Sequence, residues 1–95
     1  MNYKENEAIW KYELPVEDEV TIELPISNRI LCIQIQNGKP YIWVWVATKA
    51  VLRPHKFYVV GTGNPMPEGI DTYIGTFQLN ESSEGFVFHV FTGIM

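Results

Sequence analysis

The chain has 95 residues, enough for one small domain that buries only about 60 to 70 % of the surface its unfolded form exposes. With 46 % hydrophobic, 14 % aromatic and only 19 % charged residues, much apolar surface must be hidden by few residues, which self-association would assist. A net charge of −4 argues against duplex nucleic acid as a partner, because that binding is driven by Lys and Arg neutralising phosphates; a single small anion held by a local cluster of cations stays open.

The opening residues, MNYKENEAIW, contain no apolar segment of the kind found in a secretory signal, and the longest apolar-rich stretch, PYIWVWVA, is strand-length rather than membrane-length. The expectation is a cytosolic protein that does not contact a membrane. Asn2 to Glu7 read as a loose polar terminus on a single β domain spanning residues 1–95. Beyond it, Pro15, Pro25, Gly38, Pro40, Pro54, the Gly61 to Gly69 segment, Gly75 and Gly85 break the chain too often for a long helix. The runs between them are rich in Ile, Val, Tyr, Trp, Phe and Thr, which suit a pleated, half-buried surface. Seven strands are predicted: Ala8 to Leu14, Val20 to Leu24, Ile30 to Gln36, Tyr41 to Thr48, Lys56 to Thr62, Thr72 to Leu79 and Phe86 to Phe91. The fold class expected is all-β, an antiparallel sandwich or small barrel.

Between the first two strands, Glu17, Asp18 and Glu19 form an acidic run that a divalent cation would tolerate, although adjacent carboxylates in a turn are ordinarily just solvated. The third and fourth strands form the clearest hairpin, because Asn37-Gly38 suits a type I′ turn with positive φ at both central positions. Strict alternation puts Leu31, Ile33 and Ile35 on one face, with Cys32, Gln34 and Gln36 on the other. In the partner strand Ile42, Val44 and Val46 alternate with Tyr41, Trp43, Trp45 and Ala47, so both faces are apolar. One face then fills the core, and the other is covered by a partner subunit, a ligand or a second sheet layer. Cys32 is the only cysteine, which excludes an intramolecular disulfide and reads as a small buried hydrophobe.

Arg53, His55 and Lys56 gather most of the clustered positive charge, just ahead of the strand that runs into GTGNPMPEG. If that strand bends back over the sheet, Arg53 or Lys56 stands at one end of an anion site and the backbone N–H groups of Thr62 and Gly63 at the other; the plainer reading is a solvated turn. Pro65 and Pro67 rule out both a P-loop and a dinucleotide fingerprint, each of which must open a helix. For catalysis the inventory is thin. His55 and His89 lie in different strands without His-x-Thr or His-x-Ser triplets, no Cys/His spacing suits zinc, and His89 reads as a satisfied, half-buried imidazole. No enzyme activity, metal or cofactor is expected.

The ordered set IWKYELP, ILCIQIQNGKPYIWVWV, VVGTGNPMP, YIGTFQL and FVFHVF resembles a family of small proteins common in phage genomes and prophages, over nearly the whole chain from Ile9 to Phe91. That family is in turn similar to viral sponge proteins that blunt host anti-phage signalling of the CBASS type by sequestering cyclic nucleotides. The resemblance implies a β-rich protomer in the cytoplasm of an infected bacterium, assembling into a homo-oligomer, with a tetramer favoured, and holding a cyclic dinucleotide such as a cyclic GMP–AMP near subunit interfaces without cleaving it. The alternatives are a protein-binding inhibitor of a host enzyme, a minor virion or assembly component, and a small nuclease-like enzyme. The ligand site expected from the residues uses Trp43 or Trp45 to stack a base, Gln36 to read a base edge, and Arg53, Lys56, Thr62 and Gly63 to hold phosphate.

Overall fold

The computed structural model describes residues 1–79 and 85–94, so the predicted loop from Asn80 to Glu84 lies outside the described residues. Seven strands follow in chain order: β1 (Glu7–Glu13), β2 (Glu19–Pro25), β3 (Asn28–Gln36), β4 (Lys39–Ala47), β5 (Leu52–Gly61), β6 (Ile70–Leu79) and β7 (Phe86–Gly93). They form two antiparallel sheets, one ordered β1-β4-β3 and the other β2-β5-β7-β6. The inward sides of both supply the core: Ile42, Val44 and Val46 from β4 meet Val20, Leu24, Phe57, Val59, Phe77 and Val90 from the second sheet. The valine face of β4 is therefore the core face, and Tyr41, Trp43 and Trp45 point away from it.

The β3–β4 turn forms as its sequence demands, with Asn37 at φ 53° and Gly38 at φ 78°. It pairs Gln36 with Lys39, but the register slips between Ile30 and Cys32, where Leu31 is an extra residue. A bulge inverts the facing of everything beyond it. Strict alternation placed Leu31 on the apolar face; instead Leu31 is 42 % exposed, Ile30 turns inward opposite Val44, and Arg29 turns outward opposite Trp45. Cys32, expected to be buried, is half-buried on the outward side opposite Trp43.

Strand β5 begins at Leu52 rather than Lys56 and contains Pro54. The proline is tolerated because only β2 pairs with this stretch, with Glu23 opposite Pro54, whereas β7 joins from Phe57 onward. Locally β5 is an edge, the setting in which a missing N–H removes no ladder bond.

The glycine- and proline-rich stretch that follows β5 is a crossover strap. Strands β5 and β6 are both antiparallel to β7 and hence parallel to each other; β5 ends with Gly61 opposite Phe88, and β6 begins with Ile70 opposite Gly93. The connection must therefore travel back about five residue rows, roughly 17 Å. It turns at once, with Asn64 N–H donating to the Gly61 carbonyl at 3.0 Å and Gly63 at φ +90° in the third position, where a type II turn needs positive φ. Nothing lies within 4 Å of where a Cβ on Gly63 would sit, so Gly63→Ala should lower stability by backbone strain alone, about 1 to 2 kcal/mol. Thermal denaturation should then show a loss of roughly 5 to 15 °C; an unchanged Tm would mean the turn relaxes freely.

Candidate functional site

The outward face of the three-stranded sheet gathers aromatic and cationic side chains at adjacent register positions. Lys11 on β1 stands opposite Trp43 on β4, and Ile9 stands opposite Trp45, whose other neighbour is Arg29 on β3. Trp43 and Trp45 thus form a central ridge with Lys11 on one side and Arg29 on the other. The two cations are two strands and two residue rows apart, about 12 Å between backbone positions.

Several contacts hold this platform in place. Lys11 reaches across β4 to donate a hydrogen bond to the Gln36 side-chain carbonyl, which puts its ammonium 4.7 Å from the Tyr41 ring centroid and 5.7 Å from that of Trp43. Each such contact contributes about 0.5 to 1 kcal/mol at an exposed site. The Trp45 indole donates to Glu7 Oε1 at 2.7 Å, and Lys4 lies 5.7 Å from the Trp45 ring centroid. Trp45 remains 38 % exposed and Ile9 59 % exposed. Shallow clefts flank the Trp45 ring, one of 320 Å³ lined by Arg29, Glu7 and Ala47 and one of 480 Å³ lined by Tyr3, Lys4 and Ile9. Among the described residues, ion pairs join Lys4 to Glu7, Lys39 to Glu13 and Lys56 to Glu19; neither Lys11 nor Arg29 is in one. These two cations are the ones on this face available to a ligand anion.

The expected site is divided by the fold. Gln36, Trp43 and Trp45 come together on this face. Arg53, Lys56, Thr62 and Gly63 belong to β5 and its strap in the other sheet, and within one protomer they do not meet the tryptophans. Nor do the two cations meet the Thr62-Gly63 backbone. Strand β5 runs extended from Leu52 to Gly61 rather than bending back, so Lys56 and Thr62 are about 20 Å apart along it. Lys56 bonds to Glu19 at 2.8 Å, and that carboxylate, by hydrogen bond and charge, holds the ammonium above the ordinary lysine range, with Tyr58 adding to the effect. The Thr62 N–H donates to the Val87 carbonyl at 3.1 Å and is not free for phosphate. The strap does border a cleft of 430 Å³, but Asp18 and Glu19 line it with Tyr58 and Asn64, a setting that repels anions. Among the described residues no group of three metal-ligating side chains is present, and the acidic run at Glu17 to Glu19 takes part in structure through the Glu19–Lys56 pair and the Asp18 carbonyl, which accepts from Val59 N–H.

Both histidines are satisfied. His89 lies between Thr76 Oγ1 at 2.9 Å from Nδ1 and Thr62 Oγ1 at 2.8 Å from Nε2; Tyr73 extends the chain at 2.6 Å from Thr76, and Thr62 donates onward to the Val87 carbonyl at 3.2 Å. His55 Nδ1 faces the Arg53 carbonyl at 2.9 Å, which can only accept, so Nδ1 carries the proton and Nε2 accepts from Asn28 at 3.2 Å. Asn28 also donates to the Pro25 carbonyl at 2.7 Å, clamping the passage of the chain from one sheet to the other.

A family model described as a domain of unknown function, DUF7352, matches residues 5–94. The chain belongs to the DUF7352 family. Neither a curated protein nor a solved structure matches it. The matched span of the DUF7352 domain includes every strand and all of the platform residues from Lys11 to Trp45.

Sequence reasoning missed Lys11 and Arg29. Lys11 reaches the platform through β1–β4 pairing between segments distant in sequence, which carries no local signal. Arg29 would be assigned to the core face by alternation from the hairpin turn, and only the Leu31 bulge brings it out.

Proposed function

We propose that this protein is a non-catalytic sequestering protein that holds a cyclic dinucleotide second messenger on the outward face of the β1-β4-β3 sheet, acts as a homo-oligomer, and thereby blunts host anti-phage signalling. The observation that carries the reading is the pair of indole rings on one strand, Trp43 and Trp45, flanked by two cations without acidic partners, Lys11 and Arg29. A nucleotide base stacks on an aromatic ring with about 1 to 3 kcal/mol per base, and a charge-assisted bond fixes each phosphate. Two rings and two cations suit a ligand with two bases and two phosphates. Sequestration needs no chemistry: an abundant binder lowers the free ligand by mass action and returns it intact on denaturation.

A second reading is favoured by the exposure of Ile9 beside Trp45, which suits docking onto a host protein. One experiment separates the two. Purified protein is mixed with cyclic di- and trinucleotides and followed by thermal shift, then heated, and the released ligand is chromatographed; light scattering gives the assembly mass. A raised Tm, unaltered ligand and a mass several times the 11.0 kDa of one chain are expected. Altered ligand would make it an enzyme, no shift with any nucleotide would favour the protein-docking reading, and a single-chain mass would remove the assembly.

A further inference from the structure

The indole nitrogen of Trp43 is the one buried side-chain donor or acceptor that has no hydrogen-bond partner among the described residues. A buried donor left unmade destabilises the fold, and native proteins leave few of them without a functional reason. Trp43 occupies the middle of the platform, on the central strand β4, and the ammonium of Lys11 lies over its ring. An unpartnered N–H and a cation therefore act at the same ring. Gln36, the acceptor that Lys11 uses, is an exposed side chain at the far end of the β3–β4 hairpin.

We infer that Trp43 Nε1–H is a specificity-determining donor which, together with Lys11, takes an oxyanion of the ligand, a phosphate oxygen, in place of the Gln36 carbonyl that Lys11 now bonds. The inference rests on the sequestration reading above and deepens it. Binding exchanges the Gln36 carbonyl for a charged acceptor at Lys11 and gives the Trp43 indole the partner it lacks, so the site selects a phosphoryl group next to a stacked ring. A nucleoside without phosphate satisfies neither donor and gains only from stacking.

The test uses the intact protein labelled with ¹⁵N. Its three tryptophans give separate indole N–H resonances, and the spectra of Trp43→Phe and Trp45→Phe assign them. Inorganic pyrophosphate and cyclic di-GMP are then titrated separately. The Trp43 indole proton is expected to move downfield and exchange more slowly with both probes, while Trp43→Phe, which keeps an aromatic face, binds cyclic di-GMP roughly ten-fold or more weakly. If cyclic di-GMP binds while the Trp43 resonance stays still, the donor assignment is wrong although the platform stands. If pyrophosphate moves the resonance and no cyclic nucleotide binds, the donor assignment holds and the sequestration reading fails. If neither probe moves it, the inference is overturned, whether or not Trp43→Phe folds.

Discussion

Replacing Lys11 and Arg29 together by alanine should weaken cyclic dinucleotide binding at least a hundred-fold. A hydrogen bond to a charged group contributes about 1.5 to 3 kcal/mol, and the two cations stand about 12 Å apart by strand geometry. Sites separated by more than about 7 to 10 Å combine nearly additively, so the pair should remove about 3 to 6 kcal/mol, which is two to four powers of ten in Kd. Both side chains lie on the outward face, so the fold should be kept, with Tm lowered by no more than the two cation–π contacts of Lys11 contribute, roughly 5 to 15 °C. Arg53→Ala and Lys56→Ala serve as controls on the other sheet and should bind within about two-fold of the parent, a change of roughly 0.4 kcal/mol. Isothermal titration of the four proteins decides the matter. If the Arg53 or Lys56 variant loses affinity and the double variant does not, the ligand sits against β5, or across two protomers, instead of on the tryptophan platform.

Inserting one alanine between Ile30 and Leu31 should unfold the protein at or near physiological temperature. The β3–β4 hairpin fixes Cys32 opposite Trp43 from the turn side, and the bulge takes up the one extra residue, Leu31, so a further residue beside it turns over the stretch that precedes it. Arg29 would then face Val46, which is fully buried, and Ile30 would leave the core. Asn28 would also swing away from the Pro25 carbonyl and His55 that it now clamps. Burying an unpaired guanidinium alone costs about 3 to 5 kcal/mol, against a total stability of about 5 to 15 kcal/mol for a domain of ordinary size. Leu31→Ala keeps the bulge and shortens only a partly exposed side chain, so it should cost about 1 kcal/mol or less. Circular dichroism melts of both variants provide the comparison. An insertion variant melting within a few degrees of Leu31→Ala would mean that β3 absorbs the added residue in a wider bulge and that the register of this stretch does not set the facing of Arg29.

The bulge also marks where sequence reasoning stops. All seven strands were legible, because β-branched and aromatic runs between glycine and proline breaks are a local signal, and the Asn37-Gly38 turn states its own backbone conformation. The apolar character of both faces of Tyr41 to Ala47 was legible too, but which of the two faces meets the core was not, because both are apolar and only packing against the second sheet selects Ile42, Val44 and Val46. The facing of Arg29 was not, since one extra residue in a ladder leaves no mark on alternation until the partner strand is present. Nor was the extent of β5, where Pro54 reads as a break and is accommodated because β7 does not reach that far along the strand.

What the sequence by itself determined about this protein is the all-β class, a count of six to seven strands, the hairpin and the pairing of two tryptophans on one face of β4. These follow from interactions between near neighbours in the chain. The tertiary structure alone decided which cations meet those tryptophans. The Arg53, His55 and Lys56 cluster looked like the anion site because its members are adjacent in sequence, but β5 runs straight in the opposite sheet and Lys56 is tied to Glu19. The segment Gly61 to Gly69 looked equally like a cradle or a turn, and it became a strap because β5 and β6 flank β7 in parallel and the chain must cross back. Lys11 and Arg29 reach the platform through strand pairing and a register shift, both long-range choices made when the core closes, because burying Ile30 and Val44 together is favourable and burying Arg29 is not.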